Sequence, residues 1–152
     1  MRRLVLLVSA ALFAAASVHA GSWDVGSFDN DAALDWVNDL ERTSDTAFLS
    51  TTLRQVHSNA KFIDDDTCSS ALAAAEVVAA ARGRPAKSLP AEVGDWLKRV
   101  QPKVGAELLA SARSAVETCR DDEASDLRHL LQDSDYMKQW LDATADLLSR
   151  LS

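Results

Sequence analysis

Glu76 stands in the run Ala73-Ala74-Ala75-Glu76-Val77-Val78-Ala79-Ala80, a carboxylate in a setting that calls for burial. A buried carboxylate is costly unless a cation or hydrogen bonds compensate it. Two readings follow. In one, Glu76 is a general base or a ligand whose proton affinity burial has shifted. In the other it is structural, bonded to an arginine, to the Trp23 indole or to N–H groups of the N-terminal segment. A second concentration of chemistry lies in residues 23–36. Trp23, Phe28, Asp29, Asn30, Asp31, Asp35 and Trp36 put aromatics beside carboxylates there. They can line a small polar pocket against the helix that follows. The same residue types also serve structure. On that reading Asn30 and Asp31 cap, Trp23 and Phe28 plug the core, and Asp35 bonds a loop.

Other chemistry finds less support. Asp64-Asp65-Asp66 lacks the alternating spacing and the glycine of a calcium loop. It suits the positive end of a helix start instead. His57 and His129 have no second histidine three or four residues away, so no zinc or other metal is expected. No Gly-x-Ser-x-Gly, phosphate loop or Gly-x-Gly-x-x-Gly occurs. No cofactor is expected, and the balance leans away from catalysis.

The elements that must position these residues are helical. Alanine, leucine, aspartate and glutamate dominate, and Ile63 is the single isoleucine. Strand-like alternation is scarce. A first helix follows the oxygens of Asp29, Asn30 and Asp31 and runs to about Leu40, with Ala33, Trp36, Val37 and Leu40 on one face. Thr43 or Ser44 is the expected cap of a second, which carries Phe48, Leu49, Leu53 and Val56 and ends near Ser58-Asn59. The third, over residues 68–82, is almost half alanine and is stopped by Gly83, with Pro85 just beyond. Its small residues on several sides predict a central helix. Pro90 fits the first turn of a fourth, which turns Val93, Trp96, Leu97 and Val100 inward until Pro102 breaks it. A fifth covers about residues 104–120, with Gly105, Leu108, Leu109, Ala112, Ala115, Val116 and Cys119 on one face. Asp121, Asp122 and Glu123 are expected to open a sixth through Leu127, Leu130 and Leu131. A last one spans about residues 135–151, with Tyr136, Trp140, Leu141, Leu147, Leu148 and Leu151 available for burial. The predicted fold is all-α, a compact bundle of about six to seven helices in one domain over residues 21–152.

Residues 1–20 are of another kind. Met1-Arg2-Arg3 is a basic start, residues 4–16 are apolar, and Val18 and Ala20 are small enough for the positions a signal peptidase reads. The apolar run is shorter than the roughly 20 residues that span a bilayer. Cleavage between Ala20 and Gly21 is the expectation, leaving 132 residues, enough for one real core. No second run approaches membrane length, so a soluble periplasmic or secreted protein is expected. In such a compartment Cys68 and Cys119 should close as a disulfide. Cys68 begins the third helix and Cys119 ends the fifth, so closure predicts antiparallel neighbours. Their apolar stripes disfavour catalytic thiols. Losing Arg2 and Arg3 takes the formal charge from −7 to −9. Phosphate backbones would be repelled, which argues against nucleic acid. A basic protein partner fits.

The opening Gly21-Ser22-Trp23, Gly26, Phe28-Asp29-Asn30-Asp31 and Ala33-Leu34-Asp35-Trp36 resembles that of an uncharacterised bacterial family, domain of unknown function 4259. Residues 73–80, Gly83-Arg84-Pro85 and Leu89-Pro90 look like its middle. Asp126-Leu127, Trp140-Leu141 and residues 147–151 are similar to its tail. Asp24 departs from the family's usual glycine, and a signal peptide stands where many members have a Met. The resemblance implies no activity. Three functions stay open: a protein-interaction domain, in concrete form an immunity-type protein that neutralises a periplasmic toxin; a small hydrolase using Glu76, Asp31 or Asp35; and an envelope accessory protein without a ligand.

Overall fold

The computed structural model describes residues 25–58, 61–121 and 123–152. The expected leader and Trp23 lie outside these residues. Seven α-helices and no β-strand occur among the described residues: α1 (Asp31–Leu40), α2 (Ala47–Gln55), α3 (Asp65–Ala81), α4 (Ala91–Val100), α5 (Ala106–Cys119), α6 (Asp126–Gln132) and α7 (Met137–Arg150). The all-α bundle read from the sequence is the fold.

α3 is its axis. Its residues from Ala71 to Ala79 are all buried, on every side of the helix. Methyl side chains let neighbouring backbones come close, and α1, α2, α5, α6 and α7 all pack against it. The larger apolar groups come from other helices, with Trp36, Trp96, Trp140 and Leu147 buried in the same core. α3 packs most extensively on α5. Cys68 at the start of α3 is joined to Cys119 at the end of α5, with Cα atoms 5.6 Å apart. That join is the expected meeting of antiparallel neighbours. Beside it, Ile63 N–H donates to the Ala124 carbonyl at 2.8 Å and Asp126 N–H to the Ile63 carbonyl at 2.9 Å.

The helix ends show how local chemistry sets boundaries. Asn30 Oδ1 accepts from Ala33 N–H at 2.8 Å and starts α1. Asp64 starts α3, accepting from both the N–H and the hydroxyl of Thr67 at 2.8 Å. α3 stops at Gly83, whose φ of +81° is a left-handed conformation that glycine takes at no steric cost. α4 ends because Gln101 precedes Pro102, which bars the right-handed helical region; Gln101 turns left-handed, with φ 47°.

Several boundaries differ from expectation. Thr43 does not cap α2. Its hydroxyl donates to the Leu40 carbonyl and accepts from Trp96 Nε1, so it ties the end of α1 to α4. α2 starts later, at Thr46, where Asp45 takes the Ala47 N–H. Pro90 is the residue before α4 rather than its first turn, and Gly105 is the exposed cap of α5 rather than part of its apolar face. Asp121 and Glu123 do not open α6. Asp121 accepts from Glu123 N–H in a turn, and Ser125 is the cap. Tyr136, expected to be available for burial, is exposed at 43%, and Leu130 on α6 at 55%. α6 is only seven residues long, and Leu127 and Leu131 already fill its buried side.

Two outcomes follow. Cys68→Ala with Cys119→Ala is expected to lower the unfolding free energy by about 4 kcal/mol, since the bridge spans 51 residues. Urea titration reads this, and an unshifted midpoint would show that closure adds nothing. For Asp64, desolvation raises the pKa, but the bonds from Thr67 outweigh it and hold the carboxyl below its ordinary value. Its contribution is therefore present above the unfolded-state pKa of about 3.9 and is lost as pH falls through the lower folded value. Asp64→Ala should cost about 1 kcal/mol at neutral pH. The gap from wild type should shrink below about pH 4; a gap of constant size in acid would exclude the cap carboxylate as its cause.

Candidate functional site

The opening loop folds around a close approach. Asp29 Oδ2 accepts from Gly26 N–H at 3.0 Å, and Asp29 N–H returns a bond to the Gly26 carbonyl at 3.1 Å. A Cβ on residue 26 would lie 2.1 Å from that same carboxylate oxygen, so a side chain there would displace Asp29 from this bond. Phe28 is buried beneath it. Asp29 is thereby aimed at a cleft of about 350 Å³ that it shares with Glu76, Lys87, Asp142, Asp146 and Arg150.

Of the residues singled out in the sequence, Asp29 and Glu76 come together in this cleft. Asn30 does not. It lines a separate hollow of about 30 Å³ beside Ser69, Tyr136 and Trp140, room for about one water. Asp31 and Asp35 are exposed on α1 and line neither space. Trp36 is core. Its indole N–H donates to Thr52 Oγ1 at 2.8 Å, and its ring stacks on Phe48 with centroids 5.4 Å apart.

Glu76 has found a cation. Its side chain is 7% exposed, and both oxygens accept from Arg150: Oε2 from Nη1 at 2.7 Å and Oε1 from Nη2 at 2.8 Å. This is a two-pronged pairing that the planar guanidinium supports and an ammonium does not. Arg150 also donates from Nε to Asp146 at 2.8 Å and from Nη1 to the Arg84 carbonyl at 3.2 Å. The hydrogen bonds with Glu76, seconded by Asp146, hold the guanidinium above the ordinary arginine pKa against its partial burial. Both carboxylate oxygens thus serve a structural ion pair with Arg150.

Arg150 was not foreseen. Its signal was present in two forms: a buried carboxylate in need of a cation, and the four-residue spacing from Asp146 to Arg150 on one helix face. Phe62 was also passed over. It is 44% exposed and meets the His129 ring edge-on with centroids 5.3 Å apart. The bond pair at Ile63 sets it beside α6, which carries Leu130, 55% exposed. Asp64, Asp65, Asp66, Asp121, Glu123 and Asp126 lie in the segments that carry or adjoin these residues, and none of them enters an ion pair among the described residues.

A family model described as Domain of unknown function (DUF4259) matches residues 21–143. The chain belongs to the DUF4259 family. No curated protein and no solved structure matches it. The DUF4259 match takes in the opening loop, Glu76, both cysteines and the Phe62 surface. It stops within α7, before Arg150 and before residues 147–151, which had also been compared with the family's tail. Among the described residues no group of three metal-binding side chains gathers, and no helix is long and apolar enough to cross a membrane.

The Glu76–Arg150 pair gives a test of its own. Arg150→Met is expected to destabilise the fold by about 3 kcal/mol, because it leaves a buried carboxylate uncompensated. Adding Glu76→Leu should recover much of that loss. Denaturation midpoints for the single and double variants decide it. Equal midpoints would mean the carboxylate gains nothing from its partner.

Proposed function

We propose that this DUF4259 chain is an exported protein-binding domain. Its docking face is the disulfide-clamped end that carries Phe62 and Leu130, and its partner is a basic protein. One observation carries the reading. Two large apolar side chains stand exposed among six carboxylates that no cation neutralises. Apolar contact gives such a surface its anchor, and unpaired charge of one sign gives selectivity and a fast encounter.

The clamp makes the face rigid before any partner arrives. The Cys68–Cys119 bridge, the Ile63 bonds and the Phe62–His129 contact all converge on it. A preordered surface loses less entropy on binding. Export is supported by the basic-then-apolar start of the chain and by a closed disulfide, which an oxidising compartment maintains. An immunity-type protein that neutralises a basic toxin is one concrete form of this reading. The hydrolase alternative weakens because Arg150 occupies both oxygens of Glu76, and Asp31 and Asp35 line neither the Glu76 cleft nor the Asn30 hollow.

Affinity capture on the mature chain at low salt, compared with a Phe62→Ser, Leu130→Ser variant, is the test. A basic protein should be retained by the wild type, released by added salt and lost by the variant. Bait recovered from the producing cells should begin at Gly21. A partner held equally by both baits, or held undiminished in high salt, would overturn this docking face.

A further inference from the structure

A second concave surface lies in the groove between α2 and α5, away from both Glu76 and the disulfide. It is a cleft of about 240 Å³ lined by Thr46, Ser50, Arg54, Lys103, Glu107 and Ser111. Its side chains have a common property. Arg54 is the one described arginine with no hydrogen bond or ion pair. The other eight each donate to a protein acceptor. Lys103 enters no ion pair, whereas Lys98 and Lys138 each hold an aspartate. The hydroxyls of Thr52, Thr118 and Thr144 turn back onto carbonyls of their own helices. Those of Ser50 and Ser111 make no such bond.

We propose that this groove binds a small tetrahedral oxyanion, inorganic phosphate or the phosphoryl end of a small molecule. Two cations and two hydroxyls without protein partners border one space, and they belong to different elements. Donors spread over α2, α5 and the segment before α5 surround an anion in three dimensions, which suits a tetrahedral oxyanion better than a flat carboxylate. One helix start adds to this field. Gly105 caps α5 without a side chain and lines the groove, so the positive end of α5 borders it, whereas the start of α2 is already met by Asp45, which accepts from Ala47 N–H. Arginine and lysine bonds to phosphate are charge-assisted and about twice as strong as neutral ones.

Three features oppose the anion. The chain carries a formal charge of −7, Glu107 lies on the edge of the groove, and the Asp45 carboxylate sits at the start of α2 next to Thr46. Binding therefore depends on local convergence and should weaken with salt. Glu107 also supplies a control, because removing its charge should improve the site.

The experiment is an amide NMR titration of the full disulfide-bonded chain with inorganic phosphate, methyl phosphate and acetate. Both phosphates should give saturable shifts at residues 46–50 and 104–111. Arg54→Gln should weaken binding by about tenfold, the loss of one charge-assisted bond, and Glu107→Gln should tighten it severalfold. Saturation by methyl phosphate places a phosphoryl group in the site. Saturation by inorganic phosphate with exclusion of methyl phosphate would restrict it to the free ion. The proposal is overturned if neither phosphate saturates, if acetate binds as tightly, or if Arg54→Gln leaves the shifts unchanged. Arg54 is exposed, so the variant should fold, and an unaltered spectrum elsewhere checks that it has.

Discussion

A helix enclosed on every side dictates the rest of this molecule. α3 is rich in alanine because five neighbouring helices contact it, and bulk on its surface would push them apart. Close approach gives dense packing, and dense packing makes any polar intruder expensive. Glu76 is that intruder. Its pairing with Arg150 reaches from the middle of the chain to its last helix, across 74 residues of sequence. The bond cannot form until α7 has docked, so the electrostatic condition of the core and the seating of the last helix are one event.

The two ends of α3 are held by different physics. At its start the holding is covalent, seconded by backbone and cap bonds: the bridge to Cys119, the Asp64 cap, and the bonds of Ile63 with Ala124 and Asp126. At its end the holding is electrostatic and long-range. Arg82 and Arg84 donate to the Ser152 carbonyl, and Arg150 returns to the Arg84 carbonyl. Arg120 adds a further tie from α5 to α7, donating to the Leu141 carbonyl and the Thr144 hydroxyl. Covalent clamping leaves the first end free to carry exposed apolar groups, since its order does not depend on burying them.

Helix count, the centrality of α3 and the disulfide were legible from residues alone because each rests on local pattern: alanine on all faces, glycine and proline stops, two cysteines on apolar stripes. Thr43 misled because capping is a residue type, and the same hydroxyl serves equally at a helix end, where Trp96 fixed the choice from another element. Tyr136 misled because periodicity places a residue on a face without saying what covers that face. Glu76 was legible as a problem and not as its solution, since the partner lay 74 residues away. Asp29 could be guessed as polar and useful, but its companions Lys87 and Asp146 come from segments that only the tertiary fold brings together.

Arginine is the residue through which fold and surface are linked. Arg82, Arg84, Arg99 and Arg120 end on backbone carbonyls, and Arg150 is committed to Glu76. Each of these cations ties one element to another, and of the five only Arg150 also pairs with an exterior carboxylate, Asp146. Asp64 and Asp121, meanwhile, start a helix and shape a turn by accepting hydrogen bonds and take no cation among the described residues. The negative exterior is thus a consequence of how the bundle is held together, and a field of that sign reaches several ångströms into solution at physiological ionic strength. Against such a background a spare arginine is conspicuous. Arg54 takes no part in holding elements together, and the groove it lines is where the fold leaves positive charge available to something else.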